Sequence, residues 1–220
     1  MLYIVSTPIG NLKDITYRAV EILKSVHLIA AEDTRHTKIL LQNYQIQTSL
    51  TSYFEHNKVQ KSDYLLNLLK EGKNIALVTD ARTPGISDPG YQLIHLAQEN
   101  SIPMTVIPGP TALIAALSLS GLPTHRFIFE GFLPIKPGAR RNKLEQFKNE
   151  ERVIIFYEAP HRILKVLKDI EEVLGDPVIV CARELTKKFE TVYSGTASAV
   201  QQLLTADAVK GEFVVIVEGK

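Results

Sequence analysis

Ile75-Ala76-Leu77-Val78-Thr79-Asp80-Ala81-Arg82-Thr83-Pro84-Gly85-Ile86-Ser87-Asp88-Pro89-Gly90 is the stretch on which the reading of this chain turns. Its four leading apolar residues predict a buried strand, which stops at Thr79-Asp80. A loop rich in proline, glycine, aspartate and hydroxyl residues follows, and Asp88 or Pro89 opens an amphipathic helix. In α/β proteins the loop leaving the carboxyl end of a strand is where ligands bind, because strand ends and helix amino termini converge there. A connection this long is uncommon unless it is functional, the plain alternative being a well-capped strand-to-helix link.

Working outward, the chain alternates strands and helices on both sides of this loop. Upstream, a first strand over 2–6 leads into Thr7-Pro8-Ile9-Gly10-Asn11-Leu12, and Ile15, Ala19, Ile22, Leu23 and Val26 predict a helix over 14–25. A second strand, Leu28-Ile29-Ala30-Ala31, ends in Glu32-Asp33-Thr34-Arg35-His36. A helix over 37–43, a strand over 50–54 ending in Glu55-His56-Asn57, and a helix closed by Gly72 complete the upstream part. Downstream come a helix over 89–100, a strand over 104–107, and an apolar helix opened by Pro108-Gly109-Pro110-Thr111-Ala112. This spacing predicts a largely parallel sheet with helices on both faces. Gly121-Leu122-Pro123-Thr124 then punctuates the chain, predicting two α/β domains over 1–121 and 122–220, with largely parallel or mixed sheets. The second has predicted strands over 126–132, 153–157, 178–182 and 213–217 and near Val192, with helices over 162–174 and 197–204. A chain that ends on a buried strand, at Val217-Glu218-Gly219-Lys220, reads as truncated.

Composition narrows the class. A 45% hydrophobic, 22% charged chain with net charge +1 is an ordinary globular protein, not a strongly basic nucleic-acid binder in bulk. The one cysteine, Cys181, lies in the apolar run Val178-Ile179-Val180-Cys181-Ala182 and excludes an internal disulfide. Met1 to Ser6 lacks the basic flank of a signal peptide, and the apolar stretch 112–119 is too short to span a bilayer, which predicts a cytosolic protein. There is no G-x-x-x-x-G-K-[ST] phosphate loop, no G-x-G-x-x-G after the first strand and no G-x-S-x-G elbow, and the six histidines lack metal-ligand spacing. What remains is four strand-terminal clusters: Thr7-Pro8-Ile9-Gly10, Glu32-Asp33-Thr34-Arg35, 80–90, and Pro108-Gly109-Pro110-Thr111. In a parallel sheet all four share one edge, which suits a small ligand bound largely by backbone groups.

Seven motifs carry a resemblance. Leu2-Tyr3-Ile4-Val5-Ser6-Thr7-Pro8-Ile9-Gly10-Asn11-Leu12, Ala31-Glu32-Asp33-Thr34-Arg35-His36-Thr37, Ser87-Asp88-Pro89-Gly90-Tyr91 and Gly121-Leu122-Pro123-Thr124 are four of them. Phe129-Glu130-Gly131-Phe132-Leu133-Pro134, Phe156-Tyr157-Glu158-Ala159-Pro160-His161-Arg162 and Ala182-Arg183-Glu184-Leu185-Thr186-Lys187 complete the set. In this order the chain resembles the ribosomal RNA small-subunit methyltransferase I family of the tetrapyrrole-methylase superfamily. The resemblance implies a homodimer of two-domain chains with a cofactor cleft between the domains. It also implies methyl transfer from S-adenosylmethionine to the ribose 2′-hydroxyl of a cytidine in small-subunit (16S) ribosomal RNA.

By the same resemblance the cofactor is held by Pro8, Gly10, Asp33, Asp80, Ala81, Thr83, Pro84, Gly85, Ile86, Ser87, Gly109, Thr111 and Ala112, with Tyr157 and Ala182 from the second domain. A ribose hydroxyl is a weak nucleophile and needs a base or a neighbouring cation. The polar groups at the second domain's strand ends are Lys187, Glu184, Arg183 and Glu158. Lys187 is the expected activating group, its pKa lowered by burial or by Arg183, with Glu184 orienting it; the alternative is an Arg183–Glu184 structural pair beside a surface lysine. For RNA the basic segment Lys136, Arg140, Arg141, Lys143 and Lys148 is the candidate, with Arg35, His36 and Lys38, and with His161 and Arg162 at a helix start.

Two departures from the family pattern bear on activity. Arg82 stands where the family carries a glycine, so it either obstructs the cofactor or folds outward towards RNA. The small helical region that follows the last strand in the family, implicated in gripping RNA, has no counterpart, which predicts weaker RNA binding. The alternatives to the rRNA enzyme are a tetrapyrrole (precorrin-type) methyltransferase, which would want an apolar trough, and a non-catalytic relative disabled by Arg82.

Overall fold

The first five strands are β1 (Leu2–Val5), β2 (Leu28–Ala31), β3 (Leu50–Ser52), β4 (Ile75–Val78) and β5 (Met104–Ile107). They form one sheet in the order β3-β2-β4-β1-β5, with every pair parallel. β4 sits at the centre and is buried along its whole length, which is why it reads as an unbroken apolar run. The computed structural model describes residues 1–54, 58–80, 83–86, 90–206 and 209–220. These divide into two units, Met1–Thr111 and Ala112–Lys220.

In the first unit, helices α1 (Tyr17–Ser25) and α2 (Thr34–Asn43) put Ala19, Leu23 and Leu41 against Val5, Ile29, Ala31, Ala76 and Val78. On the other face α3 (Lys58–Lys70) and α4 (Gly90–Glu99) put Leu65, Leu69, Leu93 and Ala97 against Leu2, Ala30, Ile75 and Leu77. Neighbouring strand residues thus feed opposite cores, the period-two consequence of the pleat. The helix predicted from residue 14 starts later: Leu12–Asp14 is a single 3-10 turn, and Thr16 caps α1 by accepting the Ala19 N–H.

The second unit holds α5 (Ala112–Leu119), β6 (Phe127–Phe132), α6 (Pro137–Glu145), β7 (Val153–Glu158), α7 (Ile163–Leu174), β8 (Val178–Arg183), β9 (Thr191–Thr196), α8 (Ala197–Ala206) and β10 (Phe213–Val217). Its sheet runs β6-β7-β10-β8-β9. Only β6 and β7 are parallel; β10 enters between β7 and β8 antiparallel to both, and β9 is antiparallel to β8. The second sheet is therefore mixed and mostly antiparallel. α6, α7 and α8 bury Leu144, Val166, Ile170, Val200 and Leu204 with Phe156, Cys181, Phe213 and Val215 on one face. α5 packs against β10 and β7, so it groups with the second unit and the division falls at Ala112, ahead of the Gly121 turn at which the boundary was expected.

Candidate functional site

Because β1, β2, β4 and β5 are parallel, their carboxyl ends share one edge of the first sheet, and the polar clusters are drawn together there. Ser6 Oγ hydrogen-bonds Thr83 Oγ1 (2.8 Å), and Thr83 Oγ1 hydrogen-bonds Thr111 Oγ1 (3.1 Å). Three loops far apart in the chain are thereby joined through hydroxyls. Thr7 Oγ1 donates to the Thr79 carbonyl (2.8 Å), and the Asp33 N–H donates to Asp80 Oδ1 (3.0 Å). Gly109 lies so close to Ser6 that a Cβ there would fall 2.8 Å from the serine Cβ. Gly85 has φ +89°, a conformation open to glycine. Pro8 and Pro84 are buried beside them, while Gly10 is exposed. Of the predicted cofactor residues, Ala81 and Ser87 lie outside the described residues, as do Arg82 and Glu55-His56-Asn57. Ser6 and Thr79 were not singled out by the sequence reading, since nothing local marks a buried hydroxyl as a link between loops.

Asp33 caps α2 and is gripped by the exposed Arg35, whose Nη2 lies 2.7 Å from Asp33 Oδ2. The Arg35 side-chain and backbone hydrogen bonds hold the Asp33 carboxyl at about 2. Much of the Arg35 charge is thus already committed, whereas His36 is exposed.

In the second unit Tyr157 and Ala182 fall in one register row, Phe132, Tyr157, Val214, Ala182 and Val192, across the whole sheet. Phe129 and Phe132 pack on the Tyr157 ring. Arg183, Glu184 and Lys187 form a knot with the turn before β10. Lys187 Nζ donates to Glu184 Oε1 and to Glu212 Oε2, both at 2.9 Å. The Glu212 N–H donates to Glu184 Oε1 (3.0 Å), the Glu184 N–H donates to the Glu212 carbonyl (3.0 Å), and Arg183 Nε donates to the Lys210 carbonyl (2.8 Å). Burial alone would lower the Lys187 pKa, but the two carboxylates outweigh it and hold the ammonium above the ordinary lysine range. This is the opposite direction to the lowering expected from burial or Arg183: the two carboxylates at 2.9 Å favour the charged ammonium. Glu212 was missed because it lies 25 residues from Lys187 with no local pattern to join them.

Glu158 does not join this knot. It is buried, accepts the Ala159 N–H at 2.8 Å and lies 3.2 Å from Arg162 Nη2; burial raises its pKa. Arg162 Nη2 also donates to the Leu133 (2.7 Å) and Pro134 (3.2 Å) carbonyls. Arg140 is 4% exposed, its Nε 2.6 Å from Asp169 Oδ2, and its Nη1 donates to the Ile135 carbonyl. Both arginines are therefore anchors for the loop over 133–137, a correction to their placing among the RNA contacts. Arg141 pairs with Asp169 and Glu172, Lys143 with Glu130 (2.6 Å) and Lys148 with Glu145 (2.7 Å). The basic segment is largely neutralised within its own unit; Lys136 and His161 are exposed. Among the described residues no group of histidine, cysteine, aspartate and glutamate could hold a metal ion, and no helix is long and apolar enough to cross a membrane.

Comparison with known proteins gives this arrangement its context. The family model for Tetrapyrrole (Corrin/Porphyrin) Methylases matches residues 1–201. Proteins named "Ribosomal RNA small subunit methyltransferase I" from Buchnera aphidicola and Synechocystis are each 52% identical, covering 100% of this chain and 78% and 79% of those proteins. The protein of that name from Escherichia coli O157:H7 is 52% identical over 99% of this chain and 77% of its own length. Among solved structures, the cobalt precorrin-4 methyltransferase CbiF superposes with TM-score 0.72 at 16% identity, covering 99% of this chain and 94% of that one. Uroporphyrin-III-C-methyltransferase from Thermus thermophilus gives 0.69 at 17%, covering 99% and 93%. At such identities these two share the fold alone. The chain belongs to the tetrapyrrole (corrin/porphyrin) methylase family, on the branch of the relatives named ribosomal RNA small subunit methyltransferase I.

Proposed function

We propose that this protein transfers a methyl group from S-adenosylmethionine to the ribose 2′-hydroxyl of a cytidine in small-subunit ribosomal RNA. The observation that carries the reading is 52% identity along the whole chain to the rRNA methyltransferases, against 16–17% to the tetrapyrrole enzymes.

The cofactor supplies an activated methyl on a sulfonium. The first unit's strand-end groups fit its polar rim: the Asp80 carboxylate, the Thr83 and Thr111 hydroxyls, and loop backbone opened by Gly85 and Gly109. Arg35, the described cation beside them, is committed to Asp33, so the set suits a cationic ligand. Pro8, Gly10, Ala81, Pro84, Ile86, Ser87 and Ala112 complete this proposed set, and the same reading assigns Tyr157 and Ala182 of the second unit to the cofactor. Lys187, held protonated, donates to the attacking oxygen and stabilises negative charge there as its proton leaves to water; Glu184 fixes it and Arg183 anchors the turn. His161, Lys136 and His36 are the proposed phosphate contacts. We assign the protein to the cytosol, as a homodimer.

Calorimetric titration with S-adenosylmethionine, in parallel on Arg82→Gly, comes first. Transfer of labelled methyl to small ribosomal subunits follows, with the product located as an alkali-resistant linkage. Micromolar binding and label on one cytidine ribose are expected. Binding without transfer would refute the enzyme, and binding by Arg82→Gly alone would make this chain the disabled relative.

A further inference from the structure

We infer that Glu212 makes Lys187 a gated cation, holding the ammonium only until the RNA polyanion displaces it, while Glu184 holds it permanently. The inference rests on the reading of Lys187 as the group that meets the ribose hydroxyl.

The two carboxylates take the same ammonium at the same distance, 2.9 Å, but are built differently. Glu184 cannot leave. Its φ is +51°, its carboxylate also takes the Glu212 N–H, and the Gly211 backbone lies against it so tightly that a Cβ there would meet Glu184 Cγ at 2.3 Å. Glu212 can leave. Its side chain is 75% exposed, and its backbone stays tied to Glu184 through both N–H and carbonyl when the carboxylate swings away. An exposed carboxylate–ammonium pair is weak and readily exchanged.

The electrostatics then set the direction. With Arg183 the knot holds two cations and two carboxylates, and of these the exposed Glu212 carboxylate is the one that repels an approaching phosphate backbone. Once Glu212 turns away, Lys187 and Glu184 are neutral together, and the Lys187 N–H released by Glu212 is aimed at solvent, where Lys187 is 30% exposed.

The test uses the full chain with Glu212→Gln, Glu212→Asp and Lys187→Ala, measuring methyl transfer to small ribosomal subunits at several salt concentrations. Glu212→Gln removes the repulsion: KM for subunits should fall about threefold to tenfold at low salt, as rim-charge changes do, and the salt dependence should steepen by about one phosphate contact. Glu212→Asp should keep the parent's salt dependence. A Glu212→Gln chain with the parent's KM and salt slope overturns the gate, as does one that loses kcat at constant KM. If Lys187→Ala transfers methyl at the parent's rate, the reading of Lys187 itself fails, and the gate with it. If Lys187→Ala is inactive and Glu212→Gln is unchanged, only the gate fails.

Discussion

Arg140→Met separates a buried anchor from an RNA contact. The Arg140 guanidinium approaches Asp169 Oδ2 at 2.6 Å through both Nε and Nη2 and donates to the Ile135 carbonyl, with Arg140 4% and Asp169 7% exposed. Removing it strands a nearly buried carboxylate and an unpaired carbonyl. Breaking such a pair from one side costs about 3–5 kcal/mol, and since Asp169 keeps Arg141 at 3.1 Å the lower end applies, about 3 kcal/mol. For the second unit, Ala112–Lys220, melting in its own transition, about 3 kcal/mol lowers Tm by roughly 13 °C. An exposed phosphate-binding arginine would instead change stability by about 0.5 kcal/mol or less and register in RNA affinity. Scanning calorimetry fitted with two transitions, one for each unit, is the assay. Replacing both partners, Arg140→Met with Asp169→Leu, removes the stranded charge and should recover most of the loss. An Arg140→Met chain that melts within about 1 °C of its parent would refute the argument.

Other consequences follow from the same physics. Gly109→Ala drives a methyl to within 2.8 Å of the Ser6 Cβ; overpacking of about 1–3 kcal/mol, concentrated in a loop proposed to hold the cofactor, should weaken calorimetric S-adenosylmethionine binding about tenfold. Burial holds the Glu158 pKa above that of the unfolded chain, so the native state binds more protons between the two values and stability falls as pH rises through that window. Glu158→Gln should abolish that fall in urea unfolding measured from pH 4 to 8, and an unchanged pH slope would count against it. Asp33, held at about 2 by Arg35, contributes stability that is present above the ordinary aspartate value and lost as pH falls towards about 2. In Arg35→Ala the Asp33 carboxyl should titrate higher than in the parent by NMR yet stay below the ordinary aspartate value, because the N–H of residue 35 still caps it.

The alternation of strands and helices was legible from the residues because it is local: the four-residue runs of β2 and β4 and the helical spacing of α1 and α7 each record their own burial. The edge that gathers the strand-end clusters was legible too, since parallel pairing follows from crossover helices of that length. Arg140 and Arg141 show where reading by residue type ends. Adjacent and chemically alike, one is sealed against Asp169 and the other is half exposed, because consecutive helix positions point about 100° apart. Which of them meets the core depends on α7, roughly thirty residues on.

The antiparallel entry of β10 between β7 and β8, the hydroxyl chain from Ser6 to Thr111 and the double clamp on Lys187 belong to the tertiary structure alone. Short-range hydropathy sets which residues are helical, extended or turning, and 220 residues suffice to state that. Pairing of charges and hydroxyls depends on distances of a few ångströms between segments tens of residues apart. Those distances exist only once the two sheets have chosen their strand order.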